Sequence, residues 1–196
     1  PLIMGILNTT PDSFSDGGKF MTLDSSSAHA LQMINEGADL IDIGGQSTRP
    51  GAVEISAEEE ICRILPVIKY LRKRAPGKIL SVDTTKAEVA ETVLKEGVSV
   101  INDVSGGQGE DLLEVVSKYN AGLIIMHKKG SPETMQLDPS YNDVVGEIKA
   151  YLTHMCDLAY SAGVSKDKLV VDPGIGFGKL LEHNMAILNA LTTIKA

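Results

Sequence analysis

Polar side chains follow the short apolar runs of this sequence, and they are of kinds that bind ligands through hydrogen bonds or charge. Six runs rich in β-branched residues end on such side chains: Asn8, Asp42, Asp83, Asn102 with Asp103, His127 and Asp172. A carboxylate accepts hydrogen bonds, and a carboxamide both donates and accepts them. Residues at the same ends of several parallel strands would meet on one side of a sheet. We therefore expect a ligand site there.

Three of these residues are the leading candidates: Asp83, Asn102 and Asp172. Pointed at one cavity, they would match the amino, ring-nitrogen and lactam edge of a pterin. A metal site is an alternative because carboxylates suit hard cations, and each residue alone would also serve as a helix cap. Three others are interpreted as structural: Asp42, Asp103 and His127.

Two loops carry further candidates. Segment 5–18, GILNTTPDSFSDGG, places Phe14 among polar and glycine residues. An aromatic residue in such a loop favours a ligand-covering role, although the composition also suits a turn-rich surface loop. Segment 44–51, GGQSTRPG, places Arg49 between Thr48 and Pro50. A guanidinium there suits an anionic group or, equally, a salt bridge to a neighbouring helix.

The segment 172–179, DPGIGFGK, follows the last apolar run. Its glycines would let a flat ligand approach the backbone closely, and Phe177 would wall that ligand. Nucleotide-binding interpretations fail, since the segment does not follow the first strand and lacks phosphate-loop spacing. Met126, beside His127, is the methionine expected to touch a ligand face.

The apolar runs predict the strands that position these residues: 2–8, 39–44, 79–83, 98–103, 122–127 and 168–172. Near-continuous apolar runs suit parallel strands that are covered on both faces. Helical patterns lie between the runs. Capping boxes are predicted at Ser56 with Glu59 and at Thr85 with Glu88. Glycines predict helix ends at three positions: 37, 97 and 163.

Regular alternation of strands and helices predicts a parallel α/β architecture in one domain. A doubly wound sheet would gather its polar residues at one switch point. Here nearly every strand supplies one, as the top face of a barrel requires. We therefore predict a TIM (β/α)₈ barrel, of which about six βα units are present in residues 1–196.

Composition excludes several classes of protein. The net charge of −8 argues against a nucleic-acid partner. No apolar run approaches the roughly 18 residues of a membrane span, and no signal or transit sequence is recognisable. Cys62 and Cys156 lie in apolar helical patterns and are predicted to be reduced, buried thiols.

Five segments, taken in this order, resemble the dihydropteroate synthase family across essentially the whole chain: ILNTTPDSFSDGG, STRPG, SVDT, IND and DPGIGFGK. The resemblance implies a transferase of folate biosynthesis and a target of sulfonamides. Such an enzyme condenses 6-hydroxymethyl-7,8-dihydropterin pyrophosphate with p-aminobenzoate. Its products are 7,8-dihydropteroate and pyrophosphate.

The resemblance also implies roles for individual residues. Asn8 would help to hold Mg²⁺ and the pyrophosphate, and Asp16 would stabilise the cationic pterin that forms as pyrophosphate leaves. Together with Arg49, these are the implied catalytic residues. The p-aminobenzoate pocket would comprise Phe14, Thr48, Arg49 and Pro50. The pterin ring would be bound by Asp83, Asn102, Met126, Asp172, Gly176 and Phe177.

Two departures from the family pattern affect these expectations. Gln46 stands where many members have Glu, and the intact Ser-Thr-Arg-Pro beside it indicates tolerated variation. The Ser-Arg-Lys-Ser motif after strand 7 and the Arg-Val-His motif after strand 8 do not occur here, and Lys179 comes too early to replace that lysine. A six-unit barrel would also expose two strand edges. We therefore predict a pterin-binding domain over residues 1–196 that lacks its C-terminal units and belongs to a larger protein.

Partners and location follow from the same resemblance. We expect small-molecule substrates, no nucleic-acid or membrane partner, a homodimer when complete and a cytoplasmic location. The start inside an apolar strand fits a simple truncation and equally a fused folate enzyme of a fungus or other lower eukaryote, which would allow a mitochondrial location.

Two alternative functions remain at this point. A methyltetrahydrofolate-binding methyltransferase has a similar pterin pocket but would lack TPDSFSD and STRPG, which are both present. A non-catalytic pterin-binding homologue would have no use for p-aminobenzoate residues. The missing lysine nevertheless favours such a homologue if this chain is the whole protein.

Overall fold

The structure is a computed structural model that describes residues 1–9, 23–47, 54–106, 109–130 and 139–195. The chain divides into two compact units. We call residues 1–47 and 53–102 the first unit, and residues 48–52 and 103–196 the second unit. Among the helices in these described ranges, none is long and apolar enough to cross a membrane.

Strands and helices alternate along the described chain. The strands are β1 (Met4–Asn8), β2 (Leu40–Gly44), β3 (Ile79–Asp83), β4 (Val100–Asp103), β5 (Gly122–Met126) and β6 (Leu169–Asp172). The helices are α1 (Leu23–Asn35), α2 (Ala57–Arg74), α3 (Ala87–Lys95), α4 (Glu110–Lys118), α5 (Val144–Ser161), α6 (Leu181–Asn189) and α7 (Leu191–Ile194). A short 3₁₀ helix, Lys166–Lys168, precedes β6. Each predicted strand is confirmed to within about two residues at its ends.

The strands of the first unit are parallel and pair in chain order. Their registers match Asn8 with Gly44, Gly44 with Asp83, and Asp83 with Asn102. Side chains alternate between the two faces of a sheet, so residues in one register row project to the same side. We call these four residues the strand-end row.

The core of the first unit lies between its strands and helices. Ile41 and Val82 on the strands are fully buried, as are Ile64 and Ile68 on α2. Apolar residues three and four positions apart on α2 form one buried stripe. This packing holds the carboxyl ends of β2 and β3 in place.

The second unit repeats the arrangement with β5 and β6, which are also parallel. Their register places Met126 opposite Asp172. Leu123 and Ile125 of β5 are fully buried. The end of this strand pair therefore carries one apolar and one acidic side chain next to each other.

Helix ends test the predicted caps. Ser56 Oγ accepts a hydrogen bond from the Glu59 N–H at 3.2 Å, which confirms the cap of α2. The capping box predicted at Thr85 is wrong, because α3 begins only at Ala87. Instead, Thr84 Oγ1 accepts from the Lys86 N–H at 3.2 Å and forms a turn ahead of the helix. The glycines predicted to end helices have positive φ at all three positions: Gly37, Gly97 and Gly163.

The two cysteines differ in exposure. Cys156 is buried on α5, as predicted, whereas Cys62 on α2 is exposed and the prediction for it is wrong. Successive residues of a helix are about 100° apart, so Cys62 lies about 200° from the buried Ile64. It therefore faces away from the core.

Candidate functional site

The strand-end row contains an open space at Gly44. Gly44 carries no side chain, and a Cβ placed there would lie 3.4 Å from Asn8 Oδ1 and 3.7 Å from Asp83 Oδ2. Asn8 is exposed, whereas Asp83 and Asn102 are half-buried. A glycine between two polar side chains leaves room for a ligand group that both can reach. The first unit therefore brings together three predicted site residues.

Asp42 lies beneath this row and contacts one of its members. It is 3% exposed, and its Oδ2 accepts a hydrogen bond from Asn102 Nδ2 at 3.0 Å. Burial raises the pKa of Asp42, and the hydrogen bond from Asn102 opposes that rise. This bond uses one of the two N–H donors of Asn102 and orients its amide, and the amide Oδ1 can accept a hydrogen bond from a ligand. The interpretation of Asp42 as a structural residue agrees with this contact.

A buried ion pair stabilises the base of the segment that follows β2. Lys86 Nζ donates to Gln46 Oε1 and to Glu60 Oε2, both at 2.6 Å. Glu60 is 1% exposed, and sequence analysis did not single it out, because an acidic residue in the first turn of a helix is commonplace. A glutamate at position 46 would accept the same bond from Lys86, which explains why Gln is tolerated there.

In the second unit the end of β6 turns sharply. Asp172 Oδ1 accepts a hydrogen bond from the Gly174 N–H at 2.7 Å, and Asp172 is half-buried. Met126, its partner in register, is 3% exposed. Of the predicted pterin-binding residues, Phe177 is half-buried and Gly176 is exposed.

The glycines after Asp172 have two different roles. A Cβ on Gly174 would lie 1.9 Å from the carbonyl oxygen of His127, and one on Gly178 would lie 2.4 Å from that of Lys129. These two glycines therefore allow the segment to pack on the backbone that follows β5. The predicted role in ligand approach stays a prediction for both. A Cβ on Gly176 would meet nothing within 4 Å, so only this glycine leaves open space above the backbone.

Lys179 lies at the centre of this packing. It is 4% exposed, and its Nζ donates to the carbonyl oxygens of Gly174 and Phe177, both at 2.8 Å. The Nζ also lies 3.3 Å from the carbonyl oxygen and 3.0 Å from Nδ1 of His127. Lys179 comes too early in the chain to replace the family lysine, and its position in the sequence did not indicate this packing role.

Burial, with a smaller effect of charge, sets the protonation states of Lys179 and His127. Burial lowers the pKa of Lys179 to about 8, and the negative charge of Asp172 opposes that fall. Burial and the Lys179 charge lower the pKa of His127 to about 4. At neutral pH the imidazole is therefore neutral, with Nδ1 accepting from the ammonium and the ring proton on Nε2. This agrees with the structural interpretation of His127.

The remaining strand-end aspartate closes a turn. Asp103 is fully buried, and its Oδ1 accepts hydrogen bonds from the N–H of Ser105 at 2.8 Å and from its hydroxyl at 2.5 Å. Its own loop thus supplies two donors to one carboxylate oxygen, as in a turn closed by an aspartate. The interpretation of Asp103 as structural agrees with these contacts.

Several predicted site residues lie outside the described residues: Phe14, Asp16, Thr48, Arg49 and Pro50. Within the described ranges, no group of three or more His, Cys, Asp or Glu side chains is placed to hold a metal ion. The predicted metal ligand, Asn8, lies within these ranges, and it is exposed.

Comparison with known proteins places these features in a family. The family described as Pterin binding enzyme matches residues 4–196. A dihydropteroate synthase from Synechocystis sp. is 46% identical over 194 residues, which are 98% of this chain and 67% of that protein. The dihydropteroate synthase of Escherichia coli is 46% identical over 191 residues, 97% of this chain and 67% of that protein. The chain thus spans about two thirds of the length of these relatives.

A fused relative also matches. The folate synthesis bifunctional protein of Arabidopsis thaliana is 44% identical over 198 residues, which cover 98% of this chain and 41% of the plant protein. The matching region is therefore only part of that protein.

Solved structures give the same result. A dihydropteroate synthase from Yersinia pestis with a sulfonamide drug complex has a TM-score of 0.93 and 45% identity, covering 99% of this chain and 70% of that one. One from Xanthomonas albilineans with 4-aminobenzoic acid has a TM-score of 0.90 and 42% identity, covering 99% and 68%. The predicted fold class, βα units of a (β/α)₈ barrel, is confirmed.

Proposed function

The chain belongs to the dihydropteroate synthase family of pterin binding enzymes, and from this premise we propose how its strand-end row takes part in the reaction. The row binds the pterin of 6-hydroxymethyl-7,8-dihydropterin pyrophosphate for condensation with p-aminobenzoate. The observation that carries the proposal is the register of β3 and β4, which sets Asp83 and Asn102 next to each other. Asp83 offers carboxylate oxygens and Asn102 offers its Oδ1, and both suit the amino and ring N–H donors of a pterin.

The reaction explains why an acidic residue is useful here. The amine nitrogen of p-aminobenzoate forms a bond to the exocyclic methylene carbon and loses a proton. The bond between that carbon and the pyrophosphate oxygen breaks, and its electron pair leaves with pyrophosphate. The pterin becomes electron-poor as this bond breaks, so a preoriented carboxylate at Asp83 stabilises the transition state more than the ground state.

The proposal includes a Mg²⁺ ion to which Asn8 supplies an oxygen ligand. This hard cation takes oxygen ligands and keeps several waters, so a single protein oxygen beside phosphate oxygens is a suitable set. Asn8 Oδ1 lies beside the space that Gly44 leaves open. When bound, the metal would neutralise charge on the departing pyrophosphate. The contribution of Asn8 is to hold and orient that group.

The other assignments rest on the family resemblance. Asp16 and Arg49 would complete the catalytic residues, and Phe14, Thr48, Arg49 and Pro50 would bind p-aminobenzoate. Met126, Asp172, Gly176 and Phe177 would contribute to pterin binding. The 4-aminobenzoic acid in the Xanthomonas enzyme supports a p-aminobenzoate substrate, and the plant protein supports a fused context. A homodimer and a cytoplasmic location stay predictions.

One alternative function is no longer supported. The close relatives reported above are dihydropteroate synthases, and none of those comparisons points to a methyltetrahydrofolate-binding methyltransferase. A non-catalytic pterin-binding homologue would bind the pterin pyrophosphate without turning over p-aminobenzoate. Formation of 7,8-dihydropteroate separates that homologue from a synthase.

Binding to the row is tested by Asp83→Ala. Loss of hydrogen bonds to a charged group costs about 3 kcal/mol, so we expect calorimetry to show a roughly 100-fold rise in the Kd for the pterin pyrophosphate. Circular dichroism should be unchanged, because the half-buried side chain is not part of the core. Asp157→Ala on the exposed face of α5 is the matched control and should bind like the wild type. Equal affinity of Asp83→Ala and wild type would refute the assignment.

A further inference from the structure

The segment after β6 folds around a buried ammonium group. We propose that Lys179 is a positioning residue for pterin binding: it fixes the backbone that carries Asp172, Gly176 and Phe177 without contacting the ligand itself. This inference rests on the proposed function, since it assumes that those three residues bind the pterin.

Backbone carbonyl oxygens surround the Lys179 ammonium. The carbonyl oxygens of Gly174, Phe177 and His127 lie 2.8, 2.8 and 3.3 Å from Nζ, and His127 Nδ1 lies at 3.0 Å. An ammonium group has only three protons for these four acceptors. Its positive charge therefore attracts all four acceptor atoms and does not act through a single hydrogen bond. Removing it would take a donor from three carbonyl groups that face one another, although that of Gly174 keeps the Phe177 N–H.

A short chain of hydrogen bonds connects this ammonium to the side chain proposed to bind the pterin. Lys179 holds the carbonyl oxygen of Gly174, and the N–H of the same residue donates to Asp172 Oδ1 at 2.7 Å. One peptide unit on each side of Gly174 therefore links the ammonium to the Asp172 carboxylate. The orientation of that carboxylate depends on where Lys179 holds the turn.

The same ammonium also fixes the rest of the segment. The Phe177 N–H donates to the carbonyl oxygen of Gly174 at 3.1 Å, and the carbonyl oxygen of Phe177 accepts from Lys179. Gly176 lies between these anchors, and its N–H donates to Asn184 Oδ1 at 3.0 Å. Phe177 is thus held by bonds that lead to Lys179, and Gly176 is held between these anchors by its bond to Asn184 on α6.

Substitution of Lys179 should weaken ligand binding at a distance. We expect Lys179→Met, which keeps volume and removes charge, to raise the Kd for the pterin pyrophosphate at least 30-fold in calorimetry. Lys149→Met, which removes an exposed lysine from α5, is the matched control and should change the Kd less than twofold. Val116→Ala, a cavity at a fully buried site on α4, controls for general loss of stability in the second unit.

Chemical rescue separates positioning from a merely structural role. Lys179→Ala leaves a space that propylammonium matches in length and charge. Millimolar propylammonium should restore at least tenfold of the lost affinity, whereas 1-propanol should restore none. Equal effects of the two additives, or an unchanged Kd in Lys179→Met, would overturn the proposal. Rescue of Val116→Ala by propylammonium would also count against it, because that variant has no ammonium site to refill.

A measurement on the wild type keeps the test open if the variants do not fold. The ¹⁵N resonance of Lys179 Nζ should shift when the pterin pyrophosphate binds, because the ligand polarises the Asp172 carboxylate, which the peptide units beside Gly174 link to the ammonium. Binding by the wild type without any such shift would overturn the positioning role. Absence of binding by the wild type would instead refute the proposed function, so the two failures are distinguishable.

Discussion

The two units present ligand-binding groups in different ways. In the first unit they are side chains at the ends of adjacent strands. Asp42 is buried below Asn102, and Gly44 leaves space between Asn8 and Asp83. In the second unit, backbone carbonyls close around Lys179, and Asp172 and Phe177 are held by that packing. Strand register and core packing set the row of side chains, whereas the folded segment closes around an internal cation.

Protonation affects the two regions in opposite directions. Burial raises the pKa of Asp42, so the folded first unit favours the protonated acid. Burial lowers the pKa of both His127 and Lys179, so the folded second unit favours the unprotonated bases. Acidification should therefore relieve the Asp42 region and destabilise the His127 region.

The largest expected effect concerns the two kinds of glycine. Gly174→Ala combines a positive φ of 66° with a Cβ only 1.9 Å from the His127 carbonyl oxygen. We expect a loss of about 3–5 kcal/mol in the free energy of unfolding, measured in urea. Gly176→Ala shares the positive φ without the overlap and should lose only about 1–2 kcal/mol.

Gly44→Ala is the counterpart in the first unit. Its added Cβ meets ordinary contacts of 3.4 Å or more, so stability should change by less than about 1 kcal/mol. Equal losses in Gly174→Ala and Gly44→Ala would break the distinction between a backbone that must pack closely and a row that only needs space.

The next effect is the response of His127 to acid. Its pKa is about 4 in the folded chain and 6.5 when unperturbed, so the unfolded chain binds more protons between these values. Stability should therefore fall as the pH drops from 6.5 to 4, by roughly 2–3 kcal/mol. Urea unfolding at intervals across that range measures the loss.

The control for this prediction is His127→Asn, which keeps an acceptor for Lys179 but does not titrate. The difference between wild type and variant should depend on pH below 6.5 and be constant above it. If the two proteins lose stability in parallel on acidification, then His127 is not the group that responds.

The smallest effect is expected at Asp42. Since its folded pKa is raised, its stabilising contribution is complete below pH 3.8 and is lost as the pH rises through the folded pKa. Asp42→Asn keeps an acceptor for Asn102 and removes the buried charge, so we expect a gain of about 1 kcal/mol at pH 7. The gain should disappear near pH 3. Destabilisation at pH 7 would show that the Asp42 charge is needed and would remove the contrast with the second unit.

The strand-end row of the first unit was easier to predict from the sequence than the segment around Lys179. Apolar runs predict the strands, and the strand register then brings Asn8, Asp83 and Asn102 together. The polar side chains at the strand ends could therefore be predicted from the sequence. The roles of Gly174 and Lys179 could not be predicted from the sequence, because both depend on backbone atoms of the segment after β5. Nothing local to DPGIGFGK shows that its lysine turns inward and not toward solvent.

Local errors have similar causes. The capping motif at Thr85 was outcompeted by the turn that Thr84 forms with Lys86. Cys62 fits an apolar helical pattern, but the exposed face of α2 carries it. In both positions the local pattern was compatible with two arrangements, and only packing selects one of them.

The distribution of tyrosines allows the two units to be observed separately. The chain has no tryptophan, and four of its five tyrosines lie in the second unit: Tyr119, Tyr141, Tyr151 and Tyr160. The ring of Tyr151 meets that of His127 edge-on, with the ring centres 5.0 Å apart. Ultraviolet emission should thus report on the second unit. A fluorophore attached to the exposed thiol of Cys62 would report on the first, since burial raises the pKa of the Cys156 thiol and slows its labelling.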